Sequence, residues 1–388
     1  MIIKLTEHFK EIFKQDDNIE SFFSPGRVNL IGEHTDYNGG FVFPCALDFG
    51  TYAIVRQRED KNFRMYSENF EDLGIIEFNL DNLVYDKKDD WANYPKGVIK
   101  TFLDKGFKIP NGFDILFFGN IPNGAGLSSS ASIEVLTAVI LKSLFNLDID
   151  MVEMVKYCQI AENKFIGVNS GIMDQFAVGM GKKDNAILLD CNTLNFTYVP
   201  VKLKDMSIVI ANTNKKRGLA DSKYNERRSS CEEAVAVLNK NGVNIKYLGE
   251  LTVEEFNKVK HFIKDEEQLK RATHAVTENE RAKVAVEFLK KDDIKTFGEL
   301  MNKSHISLRD DYEVTGLELD SLVEAAWEEV GTVGARMTGA GFGGCTVSIV
   351  KNSEVDNFIK NVGKKYKEKT GLEASFYIAN IGDGARKL

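Results

Sequence analysis

The chain has 388 residues, 58 acidic and 50 basic side chains for a formal net charge of -8, and 43% hydrophobic and 28% charged residues. This is the composition of a water-soluble globular protein, far from that of disordered or membrane-embedded chains, and the length fits two domains. An overall acidic surface repels a phosphate backbone, which argues against a nucleic-acid partner, so any polyanion must be met at one local site.

In chain order, the opening MIIKLTEHFKEIFK mixes charge with apolar residues at helical spacing and has no continuous apolar core before a small-residue cleavage site. It reads as a surface helix over 2–16, not as a signal peptide. FFSPGRVNLIGEH, FVFPCALDFGTYAIVRQRE, NFRMYSEN and GIIEFNL then read as strands joined by turns. A helix near YPKGVIKTFLDKG, a strand FDILFFGNI and a longer helix opening in the serines after Leu127 follow. The apolar run in that helix, VLTAVILKSLF, is broken by Lys142 and is too short for a membrane span. MVEMVKYCQIAENKFIG reads as an amphipathic helix ending in the turn GVNSG, IMDQFAVGM as a further helical start, and NAILLD and FTYVPV as strands. The pattern restarts near residue 205 with the strand SIVIANT and a long charged helical region reaching about residue 300. We place a domain boundary there, giving 1–204 and 205–388. A Gly-rich turn into a strand, ARMTGAGFGGCTVSIV, a Lys-rich helix and the strand ASFYIAN complete the chain. Strands interleaved with helices throughout predict an α+β protein.

The five cysteines, Cys45, Cys158, Cys191, Cys231 and Cys345, are odd in number, widely spaced and without a C-x-x-C pair, so they read as buried thiols in a reducing compartment. The cytoplasm is the expected location, with no membrane partner, and a monomer is expected because no exposed apolar helix stripe stands out.

Two segments carry chemistry on their residue types alone. GNIPNGAGLSSSAS, residues 119–132, places Gly124, Gly126 and three hydroxyls between a strand and a helix. Glycines let backbone approach an anion, the helix N-terminus supplies free N–H groups, and serine hydroxyls bond phosphate or a metal ion. A Gly-rich turn with a serine N-cap is the ordinary alternative, and the Walker pattern is absent. SPGRVNLIGEHTDYNGG, residues 24–40, gathers Arg27, Glu33, His34, Thr35 and Asp36 in one polar turn. Such a cluster suits a polyhydroxyl ligand, because carboxylates accept from paired hydroxyls and imidazole donates or accepts. A solvated turn held by Asn38, Gly39 and Gly40 is the alternative.

SPGRVNLIGEHTDYNGG, GAGLSSSAS, GVNSGIMDQF and TGAGFGGCTVSIV, in that order from Ser24 to Ile349, resemble the GHMP kinases, and GEHTDYNGG resembles the galactokinases among them. The resemblance implies a two-domain GHMP kinase fold, with an N-terminal mixed-sheet domain, a C-terminal α/β sandwich domain and the active site between them. It implies transfer of the γ-phosphoryl group of ATP to the C1 hydroxyl of galactose. Glu33, His34, Thr35, Asp36, Asp174 and Tyr224 would bind the sugar, with Asp174 as catalytic base and Arg27 as its partner. A guanidinium there would also favour the charge spreading over the transferring phosphoryl. Gly124, Ala125, Gly126, Leu127, Ser128, Ser129 and Ser130 would line the triphosphate and Ser67 would lie near the base, while Ser130 and Glu162 would hold Mg2+. The glycines at 339, 341, 343 and 344 would brace the phosphate loop and sugar site. Without the resemblance, Asp174 reads as a dipole-favoured acid in a first helical turn, Glu162 as a surface glutamate and Tyr224 as a packing aromatic. A related kinase acting on another sugar, and a protein that senses galactose and ATP without transfer, remain alternatives.

Overall fold

A computed structural model describes residues 1–122, 125–215 and 220–388, without the side chains of Ala220 and Asp221. The first half runs α1 (Ile2–Phe13), β1 (Ile19–Asn29), β2 (Phe41–Val42), β3 (Pro44–Gln57), β4 (Asn62–Ser67), β5 (Ile76–Asn79), α2 (Asn93–Asp104), β6 (Phe113–Gly119), α3 (Ser129–Phe145), α4 (Met151–Ala161), α5 (Met173–Met180), β7 (Asn185–Asp190) and β8 (Phe196–Pro200). The second runs β9 (Met206–Asn212), α6 (Ala220–Lys240), α7 (Val253–Val259), α8 (Glu266–Lys290), α9 (Ile294–Asp310), α10 (Gly316–Trp327), β10 (Thr332–Thr338), β11 (Cys345–Lys351), α11 (Val355–Thr370), β12 (Ser375–Ala379) and β13 (Arg386–Lys387).

Leu5, Phe9 and Phe13 recur every four residues on α1 and bury one stripe of it against Ile54, Tyr66 and Leu116. The helix stops at Phe13, short of the expected residue 16, because Lys14 turns into the left-handed region and caps it. Beneath α1 lies a six-stranded sheet in the order β13-β1-β3-β6-β4-β5, in which only β4 and β6 run parallel. Its other face packs on α3, which is buried on nearly every side from Ala131 to Leu141 and sits inside the core with Ala53, Val55, Ile115 and Phe117. A three-stranded sheet, β2-β7-β8, flanks this half.

The four-stranded antiparallel sheet β10-β11-β9-β12 organises the second half. Side chains alternate across a strand, and β9 uses both faces: Val209 and Ala211 meet Leu322, Phe358 and Tyr366 of α10 and α11, while Ile208 and Ile210 meet Phe297 and Met301 of α9. Helices therefore cover both faces, the sandwich expected. The Ile208 face joins one core with Val28, Leu30, Ile31 and Phe43 of the first half. Each such side chain contributes roughly 1.5–3 kcal/mol on burial, so this shared core holds the halves together. The division near residue 205 is crossed once more at the end of the chain, where β13 pairs beside β1 in the first sheet.

All five cysteines are free thiols. Four are buried as expected, but Cys191 is only half-buried, since it lies just past the end of β7 and lines a surface cleft. Among the described residues no helix is long and apolar enough to cross a membrane.

Candidate active site

The pairing of β1 with β3 slips between Pro25 and Arg27. A bulge of this kind re-aims the side chain that follows it. Arg27, almost fully buried, is directed away from the sheet toward the start of α5. Its Nε and Nη2 donate to Oδ1 and Oδ2 of Asp174, both at 2.8 Å, and Nη1 donates to the Gly126 carbonyl at 2.7 Å. Burial acts to lower the Arg27 pKa, but the charge and hydrogen bonds of Asp174 together with the charges of Glu33 and Asp36 outweigh it and hold the guanidinium above its ordinary value. Asp174 keeps 30% of its side chain exposed, so the pair is open to a ligand on one side.

Ser128 begins α3 with φ +63 and makes no capping bond. Its hydroxyl donates instead to Asp174 Oδ2. The simple serine cap left open by the sequence is thus replaced by a contact between the glycine loop and the carboxylate. Ala125 and Leu127 are buried beside it, Arg27 N donates to the Leu127 carbonyl at 3.2 Å, and Ser129 and Ser130 begin the helix. Gly124 lies outside the described residues.

A cavity of about 140 Å³ opens onto the exposed side of Asp174 and is lined by Arg27, Glu33, His34, Asp36, Glu162 and Tyr224, with the 168–174 segment and Gly339–Ala340 closing it. Glu33 is held by three donors: Arg336 Nη1 at 2.8 Å and Asn29 Nδ2 at 3.1 Å on Oε2, and Gly339 N at 2.9 Å on Oε1. Burial pushes its carboxyl up, with Arg336 and Arg27 opposing. His34 sits at φ +60, a backbone region costing about 1–3 kcal/mol. Its imidazole is driven well below the usual histidine range, first by burial and then by His274. Asp36 is pushed up to about 6 by burial and by the Asp174 charge. Tyr224, on α6, packs 5.7 Å from the His34 ring, and its phenol is raised well above its ordinary value by burial. Thr35 faces elsewhere, its one hydroxyl proton shared between the carbonyls of Gly32 at 2.9 Å and Phe41 at 2.7 Å.

On the other side of the α3 N-terminus a second cavity of about 210 Å³ is lined by Ser67, Phe70, Trp91, Tyr94, Ser129 and Ser130. Among the described residues, the indole N–H of buried Trp91 has no hydrogen-bond partner. Ser67 Oγ accepts from Asn69 N at 3.2 Å. Glu162 lies between the two cavities, where α4 widens into a single π-helical turn, Glu162–Ile166, a distortion common at functional sites. Its Oε2 accepts from Ser170 Oγ at 2.6 Å and from Gln175 Nε2 at 2.8 Å, and the Ser130 hydroxyl also bonds its carboxylate. Burial raises its pKa.

The fit of a divalent cation follows from this donor set. Among the described residues no group of three or more His, Cys, Asp or Glu side chains could hold a metal. One carboxylate and a hydroxyl at a helix N-terminus suit Mg2+, which keeps waters and takes phosphate oxygens rather than an all-protein cage.

Gly339, at φ +88, would place a Cβ 3.0 Å from the Gly126 carbonyl, so the third glycine motif touches both the phosphate loop and Glu33. Several residues that build the cleft were not singled out from sequence: Ser170, Gly171, Tyr37, Tyr312, Glu278 and Arg336. Ser170 and Gly171 lie inside the GVNSGIMDQF segment, Tyr37 inside GEHTDYNGG and Arg336 just before the third glycine motif, which were the available signals; Tyr312 and Glu278 had none.

Family models match the chain as the galactokinase galactose-binding signature over residues 7–57, the GHMP kinase N-terminal domain over 93–182 and the GHMP kinase C-terminal domain over 285–368. It is 85% identical over the whole of both chains to a galactokinase of Fusobacterium nucleatum, and 57% identical to one of Bacillus subtilis, covering 98% of this chain and 97% of that one. A crystal structure of Lactococcus lactis galactokinase complexed with galactose superposes with a TM-score of 0.98 at 52% identity over all of both chains. Mevalonate kinase of Methanococcus jannaschii, at 20% identity and a TM-score of 0.66 over 94% of this chain and 98% of that one, shares the fold.

Proposed function

The chain belongs to the galactokinases within the GHMP kinases, and on that premise we propose how its cleft phosphorylates galactose with ATP. The acceptor is the C1 hydroxyl, and Asp174 is the base. As the C1 oxygen bonds the γ-phosphorus, its O–H proton passes to Asp174 and the bond from that phosphorus to ADP breaks. Arg27 holds Asp174 through two parallel bonds and leaves a fixed positive charge beside the reacting oxygens. Glu33, His34, Asp36 and Tyr224 hold the sugar, Thr35 supporting the turn from behind. Residues 124–130 and the α3 N-terminus hold the triphosphate, and the base enters the cavity of Ser67 and Trp91. Ser130 and Glu162 would hold Mg2+, which when bound neutralises charge on the β- and γ-phosphates.

The observation that carries this reading is the Arg27–Asp174 pair, open on its sugar side and bonded by Ser128 of the phosphate loop on the other. The free thiols suit the cytoplasm, and a monomer remains our proposal. We keep 1–204 and 205–388 as the two domains, the cleft between them. Incubation with ATP, Mg2+ and galactose, following ADP release, tests the reading, with glucose, N-acetylgalactosamine, mevalonate and homoserine alongside. ADP release with galactose alone is expected. Faster release with the N-acetylated sugar would reassign the acceptor, and binding of both ligands without ADP release would overturn transfer.

A further inference from the structure

A carboxylate serves a cation well only if its plane is held at a fixed rotation, and at Glu162 a buried amide supplies the hold. Gln175 follows Asp174 in the first turn of α5 and is fully buried. Its Nε2 lies 2.8 Å from Glu162 Oε2 and 3.0 Å from Glu134 Oε2. An ionised carboxylate only accepts, so the amide atom facing Glu162 is the nitrogen, and its two protons serve the two carboxyl groups. Ser170 Oγ donates to the same Glu162 oxygen at 2.6 Å. Oε2 is thus taken by both Gln175 and Ser170, neither of which bonds Oε1, and this uneven hold sets the rotation of a carboxylate that lines the cavity of Asp174.

The amide is itself anchored. Glu134 is fully buried on α3, one turn beyond Ser130. Among the described residues Gln175 is the one side chain that bonds it, and its Oε1 has no partner. Burial first, and then the charge of Glu162, push the Glu134 carboxyl well above its usual range, so it is a neutral acid accepting through Oε2. A buried carboxyl with so few partners costs stability rather than adding to it. Its one side-chain bond goes to the amide that holds Glu162, and it ties α3, the helix of the phosphate loop, to α5, the helix of Asp174.

We propose that Gln175, anchored by Glu134, is a positioning residue for the cation carboxylate: its amide fixes the rotation of Glu162 so that the carboxylate is preset to meet Mg2+ on the nucleotide phosphates. The inference rests on the reading that Glu162 holds Mg2+. Neither Gln175 nor Glu134 lines either cavity, so both act through Glu162 and not by touching a substrate.

The test measures binding without turnover. A non-hydrolysable ATP analogue is titrated into the full chain by calorimetry with and without Mg2+, and Mn2+ bound in the same complex is counted from the loss of its free electron-spin signal. Gln175→Met keeps the length of the side chain and removes the amide. Its nucleotide complex should bind Mn2+ about 10- to 100-fold more weakly, the usual loss when a partner of a metal ligand is removed. Metal-free analogue and galactose should each bind as in wild type. Glu134→Met should weaken Mn2+ binding in the same sense, and Glu134→Gln, neutral and still able to accept from the amide, should restore it; this pair serves if Gln175→Met folds poorly. Glu162→Gln is the control for the underlying reading. If it leaves the cation dependence intact, Glu162 does not hold the metal and the inference falls with that reading. If it abolishes the dependence while Gln175→Met and Glu134→Met bind Mn2+ as wild type does, the reading stands and the inference is overturned. An equal loss of galactose affinity in Gln175→Met would show a general loosening of α5 and would overturn it too.

Discussion

Gly171 offers a sharp steric test of the proposed sugar site. Its backbone is not in the left-handed region, so alanine there carries no conformational penalty of its own. A Cβ at 171, however, would stand 1.8 Å from Asp36 Oδ2 and 2.2 Å from its Cγ. Relief to an ordinary contact requires a displacement of about 1 Å or more, and misplacement on that scale costs on the order of 100-fold in rate. The movement must fall on Asp36 or on the 167–171 turn, which also carries Ser170 and its bond to Glu162. In Gly171→Ala, kcat/KM for galactose should therefore fall by about two orders of magnitude. If Asp36 moves, the KM for ATP stays near wild type; if the turn moves, the Mg2+ requirement rises as well. Initial rates of ADP release across matrices of galactose, ATP and Mg2+ separate the two. A variant with wild-type kcat/KM for galactose would refute the placement of Asp36 against the sugar.

Asp174→Asn removes the base while keeping its shape, and turnover at saturating substrates should drop by about 10²–10⁴-fold; unchanged turnover would mean that another group takes the proton. Asp36, pushed up to about 6, gains a proton as pH falls through that value and loses an acceptor for a sugar hydroxyl. The kcat/KM for galactose should accordingly decline below pH about 6, and a profile that stays flat to well below that pH in wild type would contradict it. Arg336→Met strands the Glu33 carboxylate, buried 2.8 Å from the lost cation, and should cost roughly 3–5 kcal/mol of stability by denaturant unfolding. Adding Glu33→Gln to that variant should recover most of the loss, and failure to do so would show that the two side chains are not coupled.

What could be read from the chain alone divides along a physical line. Glycine loops, hydroxyls before a helix and polar turns are local features, and they marked the residues that we propose to lie nearest the reacting atoms. The family resemblance ordered them into roles. The supports behind those residues depend on long-range packing that no local period encodes. Arg336 meets Glu33 across 303 positions of sequence, and Tyr312 meets Tyr37 across 275. The run containing α8 reads from sequence only as a long charged helical region, yet α8 buries Arg271, His274, Glu278 and Asn279. Glu278 there accepts from the backbone N–H groups of Gly32 and Glu33, and against the effect of burial Arg281, His274, Arg336 and Ser304 together hold its carboxyl down to about 2. Glu134, inside the most apolar helix, shares the Gln175 amide with Glu162. Such groups are tolerated in a core only with their partners, and the partners are visible only in three dimensions.

The two cavities differ in how they are built, and the difference bears on how the enzyme holds its substrates. Every described residue lining the larger of these two cavities lies between Thr51 and Ile133, so the side we propose for the nucleotide is built within the first half. The acceptor side is not. Glu33 is fixed by Arg336 and Gly339, the preceding turn by Glu278, and His34 by Tyr312 through Tyr37, all from beyond β9. Sugar recognition therefore depends on the docking of the halves through their shared core. Arg27 stands where the two proposed sides meet, bonded to Asp174 and to the Gly126 carbonyl. Gly339 packs on that same carbonyl. A single peptide group of the phosphate loop thus registers the base, its arginine and the second-half glycine turn against one another. This is the alignment that in-line transfer requires, since positioning and charge neutralisation supply most of its rate.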